Sequence, residues 1–209
     1  MRYFVIFILV ALFMWHMVAH DHLDVYFRGQ SMPWYPAPTR GVLAPDDPLQ
    51  TPPDRTSAWT FHGYTITPLA DYRVKARLLH RASYAAETNG EISPLDFALG
   101  WGPMSDPVIY GQLNIGQAGR WYSWSYPDSP PIPDNAIICH SANTHLIPAT
   151  DHVLDQLLDF CAGDVIQLDG YLVEVDTASM RWRSSLSRTD TGDGSCELMW
   201  VESAVKVGR

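Results

Sequence analysis

The sequence predicts an α+β domain: mainly an antiparallel β sheet or small barrel with one or two short helices, preceded by a single N-terminal transmembrane helix. Three observations predict it. Polar and apolar residues alternate at period two in several separate stretches, as in half-buried strands. The stretch "TDHVLDQLLDFCAGD" instead carries an apolar stripe at helical spacing. Residues 3–19, "YFVIFILVALFMWHMVA", are almost unbroken apolar sequence with His16 as the polar exception.

The leader, residues 1–22, comes first. As a helix rising 1.5 Å per residue, its apolar run spans about 26 Å, slightly short of a ~30 Å hydrocarbon core. Bulky Met17 stands two residues before Ala19, where a signal peptidase wants a small side chain, so an uncleaved anchor is expected. Arg2 precedes the run, and Asp21 and Asp24 follow it. The positive-inside rule then places the N-terminus in the cytoplasm, the span in the inner membrane, and the main domain on the periplasmic or extracellular side.

Residues 23–57 read as a linker. The segment "SMPWYPAPTRGVLAPDDPLQTPPDR" at 31–55 is proline-rich and aperiodic. In polyproline II form, at about 3.1 Å per residue, it would reach on the order of 75 Å. Alternatively it lies along the domain, pinned by Trp34 and Tyr35.

The globular part is residues 58–209. In "DYRVKARLLH", Tyr72, Val74, Ala76 and Leu78 alternate with Arg73, Lys75 and Arg77, which predicts a strand. Ser93 as N-cap, Pro94 behind it and Asp96 three residues on predict a short helix ending at Gly100 or Gly102. "RWYSWSY" reads as a strand, "PDSPPIPDN" as turns, and β-branched "AIICH" as a strand. Thr150 caps the helix whose stripe is Val153, Leu154, Leu157, Leu158 and Cys161, with Gly163 at its left-handed end. "DVIQLDGYLVEVD" is a strand bent at Gly170; "MRWRSSLS" and "CELMWVES" are further strands. Such close spacing suits a strongly curved sheet.

Composition narrows the function. The 209 residues are 46% hydrophobic and 18% charged, enough for a packed core. A formal net charge of -9, with no basic cluster, argues against nucleic acid as the partner. Cys139, Cys161 and Cys196 allow one disulfide and one thiol, or three buried thiols.

Three groups of side chains are candidates for chemistry. His140, His145 and His152 crowd into "HSANTHLIPATDHV", with Asp151 and Cys139 as further donors; if they converged, zinc would be the ion. No cofactor is otherwise predicted, and the blander reading has these histidines in strand ends and turns. A serine-type site would draw on Ser184, Ser185, Ser187 and Asp190, with His145 as base. No G-x-S-x-G elbow is present, and the lone "DTG" at 190–192 lacks the second copy an aspartic protease needs. Cys139 and His140 would point to opposite faces of a strand. Third, Trp121, Tyr122, Trp124 and Tyr126 could stack on sugar rings or fill a core.

The stretches "YTITPLADYRVKARLL", "SPLDFALGWGPM", "NTHLIPA", "GDVIQLDGYLVEV" and "WRSSLSRTDTGDGSCELMWV" resemble a family of uncharacterised bacterial membrane-anchored proteins, over about residues 60–202. The resemblance carries no activity and no site residues. The expected function is that of a membrane-anchored binding or structural protein of the cell envelope, whose ligand is a glycan or another envelope protein. The alternative is a metal-assisted or serine-type hydrolase built on His140, His145 and the segment Ser184–Asp190.

Overall fold

The computed structural model describes residues 37–84, 89–177 and 180–209. The apolar leader at 3–19, with Trp34 and Tyr35, lies outside them. Among the described residues no helix is long and apolar enough to cross a membrane.

The fold is mostly β. Its strands are β1 (Leu49–Thr51), β2 (Trp59–Phe61), β3 (Tyr64–Ser83), β4 (Leu95–Gly100), β5 (Asn114–Ala118), β6 (Trp121–Ser125), β7 (Ser141–Pro148), β8 (Val165–Asp176), β9 (Arg181–Arg183) and β10 (Glu197–Gly208). Three short helices interrupt them: α1 (Pro107–Tyr110), α2 (Asp134–Cys139) and α3 (Asp151–Asp159).

Five strands close a ring. β3 pairs with β4, β4 with β7, β7 with β10, β10 with β8, and β8 returns to β3. All these pairings are antiparallel except β7–β10, which is parallel because α3 and β8 intervene in the chain. The long β3 makes closure possible. One edge pairs with β8 from Thr65 to Arg77, while the other carries β2, β1 and β4 in turn. Register shifts at Pro68/Ala70 and Leu78/His80 bend it.

Inward positions follow the period-two pattern. Tyr72, Val74, Ala76 and Leu78 meet Leu95, Phe97, Leu99, Leu146, Ile166, Leu168, Met199 and Val201 in the barrel core. One end is plugged by Val153, Leu157 and Leu158 of α3. The Thr150 hydroxyl accepts from the Val153 N–H at 3.2 Å, as expected of the cap. The helix ends at Asp159, so Gly163, at φ +94°, sits in the following turn rather than at the helix end.

Gly170 is a point of close backbone approach, and the irregularity beside it lies in β10 rather than in β8. It faces Val201, next to a bulge in β10 between Val201 and Ser203. A β-carbon there would overlap the Trp200 carbonyl oxygen and lie 3.1 Å from the Glu202 nitrogen. Glycine is what lets the two backbones meet.

Four local expectations are corrected. Residues 95–100 form β4, not a helix, because β3 and β7 pair with both edges and every residue is buried. "AIICH" falls largely in α2: Pro133 starts it, Asp134 lies in its first turn, and Ile137 is buried beneath. "MRWRSSLS" is strand only over Arg181–Arg183; beyond it, side-chain and backbone turns replace pairing. Arg77, expected on the polar face of β3, is fully buried. It donates to the carbonyls of Thr39, Ser105 and Gly163 at 2.8, 2.9 and 2.8 Å.

The contact with Thr39 reflects residues 37–57, the described part of the expected linker. They lie against the barrel: Thr39 N–H donates to Arg209 O at 2.9 Å, Ala44 O accepts from Gly102 N–H at 2.8 Å, and β1 joins the sheet.

Candidate functional site

The outer face of β4 and β7 carries the polar residues that the inner face cannot hold. Register sets Asp96 opposite His145 and Ala98 opposite Asn143. Because Leu95, Phe97 and Leu146 point into the barrel, alternation turns Asp96, Asn143 and His145 outward. The hairpin β5–β6 covers this face. Its two-residue turn is Gly119–Arg120, with φ +56° and +70°, the conformation a tight hairpin requires.

Arg120 thereby sits in a left-handed conformation that costs a non-glycine residue free energy, and its surroundings hold it there. Its N–H donates to the Tyr84 hydroxyl at 3.1 Å, and its carbonyl accepts from Asn143 Nδ2 at 3.2 Å. Its guanidinium donates to Asp96 Oδ1 at 2.9 Å and lies 4.4 Å from the Tyr84 ring centre and 5.5 Å from that of Trp182. Asp96 Oδ2 stands 2.8 Å from His145 Nδ1, close but off the line of a well-formed hydrogen bond. The His145 ring packs on Trp182 at 4.8 Å.

Over this network runs a cleft with two halves that share Trp121 and Cys196. The smaller, about 180 Å³, is lined by Trp101, Tyr122, Trp124, Asn143, Arg188 and Glu197 among others. The larger, about 760 Å³, is lined by Asn89, Arg120, His145, Arg181, Trp182 and Arg183 among others. Trp121 stands at the junction, 48% exposed.

At the smaller half, the barrel interior reaches the cleft through a polar cluster. Arg188 is ion-paired to Glu197 and donates to the Tyr72 hydroxyl at 3.1 Å. Glu197 Oε2 is buried without a hydrogen-bond partner. Burial pushes the Glu197 carboxyl up to about 7, against the opposing pull of Arg188. Burial likewise raises the Tyr72 phenol, and drives the Cys196 thiol up to about 11, which leaves it protonated and a poor nucleophile.

The residues singled out in the sequence separate. His140 caps the C-terminal end of α2, its Nδ1 2.7 Å from Ala136 O and its ring against Gly102. His145 faces the larger half of the cleft, five residues along an extended strand, or about 16 Å from His140. His152 and Asp151 are exposed on the first turn of α3. Among the described residues, no three His, Cys, Asp or Glu side chains come together as metal ligands would. The three cysteines are free thiols.

Ser185 does meet Asp190, donating to Oδ2 at 2.7 Å. The same hydroxyl accepts from Ser187 N–H at 2.9 Å, so it braces the loop. Its side-chain partners include no histidine. Ser184 Oγ donates to Ser185 O and accepts from Leu198 N–H, again a loop brace. Of the aromatic candidates, Trp121, Tyr122 and Trp124 line the smaller half. Tyr122 donates to Ser141 Oγ, and Trp124 stacks on Tyr126 at 6.2 Å, both rings resting on the cluster around Met104 and Ile137.

Asp96, Arg120, Asn143, Trp182, Arg188 and Glu197 did not stand out in the sequence as a site. The Gly-Arg dipeptide between "NIGQA" and "WYSWS" was the one local signal, since it marks a tight hairpin. The assembled surface offers exposed indole, guanidinium and amide groups over a rigid buried base, an arrangement suited to holding a ligand by stacking and hydrogen bonds. Comparison of the chain with protein-family models, curated proteins and solved structures returns no match.

Proposed function

We propose that this chain is a membrane-anchored, extracytoplasmic binding protein of the cell envelope, and that its cleft holds a saccharide chain. The observation that carries the reading is the position of the cleft on the barrel. The ring order β3-β4-β7-β10-β8, with α3 between β7 and β8, the third and fourth of these strands in chain order, follows the architecture of the OB barrel. Such barrels bind oligosaccharides and oligonucleotides on the face of their second and third strands, between the loops joining strands one to two and four to five. Here those strands are β4 and β7, and the larger half of the cleft includes Asn89 from the first loop and Met180–Arg183 from the second. This is an argument from architecture, and the chemistry of the surface adds to it.

The acidic balance of the chain and the apolar leader favour a saccharide over nucleic acid. In this reading residues 3–19 lodge in the bilayer and present the barrel to the far side. The hydrolytic alternative has weaker support, because His140, His145 and Ser185 do not share a constellation. The test is retention of the detergent-solubilised full chain on purified, protein-free cell-wall sacculi, with release by soluble wall fragments. Absence of retention at micromolar protein overturns the saccharide reading.

A further inference from the structure

The two halves of the cleft differ in charge. Apart from His145, the charged residue types lining the larger half are all arginine: Arg120, Arg181 and Arg183. This holds in a chain whose formal net charge is -9. The carboxylates that balance them lie beneath or beside the surface. Asp96, under Arg120, has a side chain 1% exposed. Glu174 is 7% exposed and binds Arg181 Nη2 at 2.6 Å and Arg183 Nη1 at 2.7 Å. Asp176, at the rim, stands 3.8 Å from Arg181 Nε.

These bonds fix the guanidinium planes without using up their donors. Each guanidinium has five N–H groups, and the side chains of Arg181 and Arg183 stay 68% and 51% exposed, so donors remain open to solvent; Arg120 Nη2, though unpartnered, is buried. Two indoles flank them, Trp121 and Trp182. A guanidinium fork matches a carboxylate in shape and charge, and an indole matches the apolar face of a sugar. Pre-oriented arginines also bind with less loss of side-chain entropy.

We infer that the larger half of the cleft takes an acidic sugar, a ring bearing a carboxylate, with Arg181 and Arg183 on the acid and Trp121 and Trp182 on the ring. The inference rests on the saccharide reading above and names the class of sugar. It is tested with the full chain in detergent by titrating oligogalacturonate, a neutral galactose oligomer of the same length, and oligothymidylate, with indole fluorescence as the readout.

Oligogalacturonate is expected to bind at least tenfold tighter than the neutral oligomer, with an advantage that shrinks as salt rises from 50 to 500 mM, roughly from a 14 Å to a 4 Å screening length. In the double variant Arg181→Gln/Arg183→Gln the advantage falls to less than threefold. The salt series on the unaltered chain is a second measurement, should the variant fold poorly without partners for Glu174. Equal affinity for the two sugars, or an advantage indifferent to salt, overturns the acidic-sugar inference and leaves the saccharide reading standing. Tightest binding of oligothymidylate overturns both, and no binding of any of the three overturns the acidic-sugar inference while the saccharide reading stands or falls on retention by sacculi.

Discussion

Trp121→Ala tests the cleft most directly. The ring is 48% exposed, so of an indole surface of about 250 Å² roughly 120 Å² meets water. A sugar stacked on one face covers about half of that, ~60 Å². At 25 cal/mol per Å² this is worth about 1.5 kcal/mol, or roughly tenfold in Kd. Because the residue lies at the hairpin's exposed end, thermal stability should change by less than about 2 °C. The assay is a depletion isotherm on cell-wall sacculi, run beside a thermal melt of the same preparation. An affinity within twofold of the unaltered chain, at unchanged melting temperature, would refute the placement of the ligand against Trp121.

Three further outcomes are expected. Gly170→Ala forces a β-carbon into the Trp200 carbonyl and should cost about 3 kcal/mol or more, read as a fall of roughly 10 °C in melting temperature; a loss below 1 kcal/mol would mean the β8–β10 approach is looser than described. Asp96→Ala strands Arg120 and His145 without their carboxylate, and should lower the urea unfolding free energy by about 3 kcal/mol as well as weaken binding in the larger half. Glu197, raised from an ordinary carboxyl to about 7, contributes stability that is full below about pH 4.5 and is lost as pH climbs through 7; relative to Glu197→Gln, the unaltered chain should therefore lose stability between pH 5 and 8, and parallel pH profiles for the two would contradict the burial argument.

Where the sequence reading succeeded, one local rule dominated. β3 alternates over its first half because one side of it faces the barrel core. The helix α3 carries its own cap and stripe. The reading failed where tertiary pairing outweighed local preference. Ser93, Pro94 and Asp96 imitate a helix start, yet β3 and β7 claim both edges of the segment, and Asp96 serves Arg120 instead of a cap. A short β-branched run such as Ile137–Ile138 has too few residues to reveal its period. The site was largely illegible for a different reason. Asp96, Arg120, His145 and Trp182 come from four separate segments, and only closure of the ring and the fold of the hairpin bring them together. Trp121, Tyr122, Trp124 and Tyr126 stand out in the sequence as rings that could stack on a sugar or fill a core, and the first three line the smaller half of the cleft.

The clasp of Arg77 on Thr39, with Thr39 bound to the chain's last residue, has a consequence for reach. The stretch from residue 39 to residue 57 is tied to the barrel at Thr39, at Ala44 and through β1; at up to about 3.6 Å per residue it forfeits roughly 65 Å of extension that a free coil of the same length would have.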